Sequence, residues 1–271
     1  MKAIKKIGIV GCGTIGQKVA VELDKGSVPG ASLKAMSSRN LEKVRVFAGT
    51  LGSPPAVLEL KDLVPIVDIV IEAATGEALD EIACETLSQG KDLIALSCGA
   101  LLERDDLFDM AQRHGATIYV PSGAIAGLDG VASAAAGRID SIKMITRKPP
   151  DGLRGAPGVL ASGVDLDAVV EPTIIFDGPV KEACKLFPAN VNVSAALSMA
   201  GVGPHETTIR IYADPTVDRN THEIQVEGEF GRLTIKIENV PSSTNPKTGV
   251  LSALSALATL KRITGTVQIG T

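Results

Sequence analysis

Apolar and polar positions follow two rhythms along this chain, and the change of rhythm divides it. Residues 7–10, IGIV, are an unbroken apolar run; the glycine-rich stretch GCGTIG (11–16) follows at once, and Ile15, Val19 and Leu23 then recur four apart through TIGQKVAVELDKG. A short apolar run bounded by glycine reads as a strand covered on both faces, and the four-residue period puts three apolar side chains on one face of a helix. Further strands are expected at ASLKAMSS (31–38), VDIVIEAA (67–74), DLIALS (92–97) and TIYVPSG (117–123), with helical stretches EALDEIACETLSQG and ERDDLFDMAQRHG between the later ones. Strands alternating with helices predict a Rossmann-type α/β domain over residues 1–121, a doubly wound parallel sheet with its ligand at the carboxyl ends of the strands.

Beyond VPSGAIAGLDG (120–130) the period shortens to two. SIKMITRK (141–148), TTIRIYADP (207–215) and THEIQVEGEFGRLTIKIENVP (221–241) alternate apolar and polar residues, which predicts a largely antiparallel sheet with few helices, a second, α+β domain over 122–245. In the last stretch His222, Ile224 and Val226 share one face, and EFGR turns the chain into a strand carrying Leu233, Ile235 and Ile237. PPDGLRGAPGVLASG (149–163) reads as a long loop, either a lid or a plain surface segment. The end of the chain predicts a helix over 246–271: Asn245 can cap, Pro246 suits the first position, Val250, Leu254 and Leu257 form an apolar stripe, and Lys261 and Arg262 complement the dipole. Such a stripe needs a partner, so the helix is expected to return to the first domain and leave a cleft between the two.

Composition narrows the partners. With 271 residues, 45% hydrophobic and 21% charged, the chain has room for two domains and the balance of a globular protein. A net charge of -4 argues against a nucleic-acid surface, which needs clustered Lys and Arg. No apolar run approaches the ~18 residues that cross a membrane, and MKAIKKIGIV holds no apolar segment of signal-peptide length, so a cytoplasmic protein is expected. Cys12, Cys84, Cys98 and Cys184 lack CxxC spacing, which indicates neither a disulfide framework nor a metal site. A small-molecule ligand is left.

The strand, glycine turn and helix at 7–26 point to a dinucleotide. Gly11 permits the tight turn, Gly13 lets backbone approach a pyrophosphate, Gly16 allows close helix–strand packing, and Thr14 and Ile15 open the helix whose N–H groups meet the phosphates. An NAD-specific site places an acidic residue after the second strand. Here the chain offers Ser37, Ser38 and Arg39, which suit a 2′-phosphate, so NAD or NADP is expected, with a lean to NADP. For acid–base chemistry near neutral pH, histidine needs the smallest pKa shift. The chain has three histidines: His114 falls at a predicted helix end, His205 after a Gly/Pro turn, and His222 within the alternating run. From the pattern alone His222 reads either as a satisfied core side chain or as a proton carrier.

GIVGCGTIG, SGAIAGLDG, FPANVNVSAALSMAG, ADPTVDRNTHEI, GEFG and NPKTG, in this order over nearly the whole chain, resemble the L-aspartate dehydrogenase family. The resemblance implies oxidation of L-aspartate to iminoaspartate with hydride transfer to a nicotinamide cofactor. The imine then hydrolyses to oxaloacetate and ammonia or passes to quinolinate synthesis for NAD production. It implies a homodimer, His222 as the catalytic histidine, Ala124 against the nicotinamide and Asn190 on the cofactor, with Asn192 read as a helix cap. Two departures stand out: no acidic residue follows the second strand, and Gly249 stands where NPKT is often followed by Ser. A dicarboxylate needs at least two cationic or N–H-rich anchors, for which Arg147, Lys148, Arg219 and Lys247 are the candidates. Dihydrodipicolinate reductases and homoserine dehydrogenases share the logic of the first half, and a non-catalytic redox sensor would use the same turn, but none of these accounts for RNTHEI together with NPKT.

Overall fold

The computed structural model describes residues 3–188, 191–240, 242 and 249–270. The chain divides into two compact units, Met1–Pro121 with Ser252–Ile269, and Ser122–Leu251 with Gly270–Thr271.

The first unit alternates β1 (Lys5–Val10), α1 (Thr14–Asp24), β2 (Ala31–Ser37), α2 (Leu41–Ala48), β3 (Ala56–Val57), α3 (Leu60–Leu63), β4 (Ile69–Glu72), α4 (Gly76–Ser88), β5 (Asp92–Ala95), α5 (Asp105–His114) and β6 (Ile118–Tyr119). The strands form one parallel sheet in the order β3-β2-β1-β4-β5-β6. The order reverses beside β1, and in open α/β sheets that switch point is where ligands bind. Ile7, Ile9, Ile69 and Ile71 are fully buried because helices cover both faces, which is why these strands are apolar runs. Each such side chain contributes roughly 1.5–3 kcal/mol by burial. Val19, Ala20 and Leu23 of α1 complete the core on one side.

The second unit consists of α6 (Leu128–Ala134), β7 (Ile139–Lys148), α7 (Pro157–Ser162), β8 (Thr173–Pro179), α8 (Val180–Leu186), α9 (Asn192–Ala200), β9 (Thr207–Ala213), β10 (Thr221–Gly228) and β11 (Gly231–Glu238). Its five strands run β11-β10-β7-β9-β8. Every pairing is antiparallel except β7 with β9, so the sheet is mixed, and its helices are more numerous than the alternating pattern suggested. Alternation survives where the sheet is covered on one face: His222, Ile224 and Val226 are buried, while Glu223 and Gln225 of the same strand are partly exposed. In β11, Leu233, Ile235 and Ile237 are only half-buried, because this strand forms the sheet's edge.

Two expectations about the second unit need correction. The 149–163 segment is not a loop: Pro157 opens α7, Leu153 is fully buried, and a side chain on Gly158 would meet the Phe187 ring at 2.2 Å. Arg154 adds ion pairs to Asp151 and Asp167, so the segment is anchored to its own unit. Asn192 is the first helical residue of α9, and Val191 holds the cap position.

The terminal helix α10 (Val250–Thr264) is shorter than 246–271, and its buried stripe is Ala253, Ala256, Leu257 and Leu260. Val250 and Leu254 are 40% and 45% exposed. Alanine at i and i+3 lets the helix approach closely, so the smaller residues face inward. Ala256, Leu257 and Leu260 join the core of the first unit with Val19 and Leu23. Asn245 and Pro246 lie outside the described residues. Among the described residues no helix is long and apolar enough to cross a membrane.

Candidate active site

The carboxyl ends of β1, β2 and β4 border a groove of about 380 Å³ within the first unit, lined in part by Gly11, Gly13, Ser38, Arg39 and Ala74. Gly11 has φ +117°, and a Cβ there would stand 2.2 Å from the Ala73 carbonyl oxygen, so only glycine lets the β1 turn pass the end of β4. At Gly16 a Cβ would meet the Gly11 carbonyl oxygen at 2.2 Å, which is the close helix–strand approach that the third glycine allows. Around Gly13 nothing lies within 4 Å of the missing Cβ. Bare backbone therefore faces the groove where Thr14 and Ile15 begin α1, and an eleven-residue helix presents its positive end there. The cradle fits a pyrophosphate.

At the other end of the groove Ser37 closes β2 and is buried, and the Ser38 hydroxyl donates to the Asn40 carbonyl at 3.0 Å. Asn40 caps α2 by accepting the Lys43 N–H at 3.0 Å. Arg39 and Lys43, both exposed, line the groove, as does the carboxylate-bearing Glu59. Two cations suit a phosphate on the ribose, and one carboxylate suits a free hydroxyl. Lys43 and Glu59 escaped the sequence reading, since a charged side chain on α2 or after the two-residue β3 carries no signal of its own until the groove brings them together.

Glu72, the last residue of β4, was missed as well. Fully buried, it accepts hydrogen bonds from the backbone N–H groups of Ala74 (2.8 Å), Leu96 (3.1 Å) and Ser97 (2.8 Å) and from the Ser97 hydroxyl (3.0 Å). Burial raises its pKa and the four donors pull it back, with a net shift upward. The carboxyl ties the turns after β4 and β5 together, and Ala74 of the first of these turns lines the groove.

In the second unit the covered face of the sheet is apolar along Ile142, Met144, Ile209, Ile211, Ile224 and Val226, and turns polar at one end. His222 of β10 stands opposite Thr146 of β7, so the two side chains share a face, with imidazole Nδ1 3.0 Å from Thr146 Oγ1. Lys148, two residues along β7, points the same way. These three are only 3%, 2% and 5% exposed. Burial first, then the charge of Lys148, push the His222 pKa from 6.5 down to about 3, so the ring is neutral at physiological pH. The imidazole is thus not walled in by aliphatic side chains alone, and a shifted histidine beside a buried lysine makes this end of the sheet a candidate site. His114 ends α5 and His205 approaches Lys181 at 3.5 Å; both are exposed.

Ala124, in the turn before α6, has its carbonyl held by Asn239 Nδ2 at 3.0 Å, and the Asn239 N–H donates to the Asn220 carbonyl at 2.9 Å. The Ala124 turn is therefore tied to the strand ends that carry His222. Asn239 was not legible in the sequence, because its buried side chain follows the last alternating residue and bonds 115 positions away.

Strand parity separates the anchor candidates. Arg147 lies between Thr146 and Lys148 and so faces the opposite side, where it pairs with Asp214 at 2.9 Å and stacks on Tyr212 at 4.3 Å. It does not share a face with His222 and is withdrawn as a substrate anchor. Arg219 pairs with its neighbour Asp218 at 2.7 Å near the surface. Asn190 and Lys247 lie outside the described residues.

A bare phosphate cradle at the switch point of a parallel sheet, with a neutral buried histidine on a second sheet, defines the class: a nicotinamide-dinucleotide oxidoreductase. Residues 11–121 match the family model "Homoserine dehydrogenase, NAD binding domain", and residues 129–263 match "Aspartate dehydrogenase, C-terminal". An L-aspartate dehydrogenase of Methanocella arvoryzae is 47% identical over 98% of this chain and 99% of its own length. One of Bradyrhizobium diazoefficiens is 45% identical over 98% and 94%. The chain belongs to the L-aspartate dehydrogenase family. The crystal structure of aspartate dehydrogenase from Thermotoga maritima aligns over 98% of this chain and 99% of that one, with TM-score 0.74 and 27% identity. A homoserine dehydrogenase from Thiobacillus denitrificans, at 16% identity and TM-score 0.63, shares the fold.

Proposed function

We propose that this chain oxidises L-aspartate to iminoaspartate with NAD or NADP, and that His222 handles the protons. The observation that carries this reading is the buried set of His222, Thr146 and Lys148 on one sheet face. With Nδ1–H donating to the Thr146 hydroxyl, the Nε2 lone pair is directed away from that bond and can accept a proton. The substrate arrives as an ammonium, and Nε2 takes the proton that leaves it. A bound nicotinamide supplies the acceptor for the hydride from the α-carbon. The same imidazole then assists water in adding to the imine, which releases ammonia and oxaloacetate, unless the imine is consumed first for quinolinate and so NAD synthesis. Lys148 is the substrate anchor best supported, because its ammonium shares the histidine's face.

Gly11, Gly13, Thr14, Ile15 and Gly16 would hold the pyrophosphate, and Ser38, Arg39 and Lys43 the ribose end. Ala124 and Asn190 would meet the nicotinamide, the second of these on family resemblance alone. A homodimer in the cytoplasm completes the reading. Mixing the protein with L-aspartate and NAD or NADP at mildly alkaline pH should give the reduced-nicotinamide absorbance, and His222→Ala should lower turnover by about 10²-fold with cofactor affinity retained. Turnover of homoserine but not aspartate overturns the substrate, and cofactor binding without any turnover favours a redox sensor.

A further inference from the structure

Lys148 deserves a role beyond holding a carboxylate. A lysine at 5% exposure is rarely left in a sheet core, and this one lies diagonally across from His222, since His222 pairs with Thr146. Diagonal cross-strand neighbours stand roughly 7–8 Å apart, within reach of a lysine stem. Its charge bears on the imidazole directly. Among the described residues, the neighbouring strands bring no competing charge to that face: β11 places Ile237 opposite His222, and β9 places Ile211 and Ala213 beside Thr146 and Lys148. Glu223, Lys236, Glu238 and Arg147 alternate to the other face, and the buried carboxylate of Asp214 is engaged by Arg147 and Thr216. Asp218 and Arg219 pair with each other before β10 begins.

We propose that Lys148 ties the charge of His222 to the presence of substrate, so that the base can hold a proton only once a carboxylate has paired with the lysine. Before binding, burial and then the ammonium keep the ring neutral and the Nε2 lone pair available. An ammonium has three N–H donors, so it can take a carboxylate oxygen alongside the partners it already has. The new negative charge offsets the lysine's effect on the ring. Proton transfer then balances locally: an N–H bond of the substrate's ammonium breaks, its electron pair stays on the amine nitrogen, and an N–H bond forms at Nε2. The inference rests on the reading of His222 as the proton carrier. It adds that a carboxylate, and not the amine, relieves the part of the ring's lowered proton affinity that Lys148 imposes. A dicarboxylate without an amine should therefore protonate the ring as well.

The chain has only three histidines, so imidazole NMR of the full-length protein can follow His222, assigned by its loss in His222→Gln. The free ring should stay neutral to the lowest pH at which the protein is folded. Saturating succinate should raise its proton affinity at least 10-fold, a shift of one pH unit or more in its titration. In Lys148→Met the free ring should titrate at higher pH than in the wild type, and succinate should change it less than threefold. Lys148→Arg keeps the charge and should keep the coupling, so it serves as the test if the methionine variant does not fold. A ring that ignores saturating succinate, or titrates in Lys148→Met as it does in the wild type, overturns the proposal. So does failure of succinate to bind at all. Aspartate turnover measured on the same preparations separates the two levels: an active enzyme whose ring ignores succinate loses only the coupling, whereas full turnover by His222→Gln removes His222 as the base.

Discussion

Acidification offers the sharpest test of the His222 environment. In the folded chain burial and Lys148 hold the ring at about 3, while in the unfolded chain it returns to its ordinary 6.5. Between these values the unfolded chain binds a proton that the folded chain refuses, so folding stability falls as pH falls through the window. At pH 5 the gap to the unfolded value is 1.5 units, which at ~1.36 kcal/mol per unit gives a loss of about 2 kcal/mol. Any folded value below about 4 gives nearly the same loss, so the expectation does not depend on the depth of the shift. Hydrogen exchange at the amides of β10 reports the opening energy of the strand itself and avoids treating a chain of two units as one transition. Measured at pH 7 and pH 5 and corrected for intrinsic rates, these amides should lose about 2 kcal/mol more protection in the wild type than in His222→Gln. All other titrating groups are common to both proteins and cancel. Equal losses in the two would show that the ring is not held neutral by its surroundings.

Three further outcomes follow from the geometry. Arg39→Ala should weaken NADP roughly 10-fold or more while NAD changes little, as expected for one charge-assisted contact to a 2′-phosphate, and equal losses in a binding titration would count against that contact. Gly16→Ala forces a methyl to within 2.2 Å of the Gly11 carbonyl oxygen, so the turn must shift; dinucleotide affinity should drop at least 10-fold, and calorimetry showing unchanged binding would refute the cradle. Arg147→Ala should cost about 1–2 kcal/mol, moderated because the guanidinium is partly exposed and Asp214 keeps its bonds from Thr216, and it should leave the KM for aspartate within twofold. A large rise in KM would return Arg147 to the substrate.

Legibility in the sequence tracked how strongly local chemistry constrains each feature. The strands of the first unit were readable because a sheet covered on both faces demands apolar runs, and the glycine turn because steric exclusion at Gly11 and Gly16 leaves no other residue. The second sheet betrayed its buried face through His222, Ile224 and Val226, but not its strand order, since the β7–β9 pairing joins segments some sixty residues apart with no local signature. On α10 the large residues suggested one stripe, and packing chose the small ones, because close approach rewards alanine. Arg147 and Lys148 looked equivalent as neighbours. A single residue step along a strand reverses the face, so only the register with His222 could separate them.

On the function proposed above, the two units would hold their ligands by different physics, which sets where each is vulnerable. In the first, the phosphate bed is made of backbone: Gly11 and Gly16 pass other chain segments at distances where a Cβ would collide, Gly13 is open, and buried Glu72 ties the adjacent turns through three backbone N–H groups. Side chains on the rim of that bed can change without closing it, which would let Ser38, Arg39 and Lys43, all lining the groove, tune which dinucleotide fits. In the second, the proposed chemistry rests on the side chains of Thr146, Lys148 and His222, each buried, with the ring hydrogen-bonded to Thr146 and its charge affected by Lys148. Such a set tolerates little, since removing one member leaves a desolvated polar group behind. Cofactor preference should therefore vary readily by substitution on the rim of the first unit, whereas a single substitution in the buried cluster should cost more, because each member's surroundings depend on the other two.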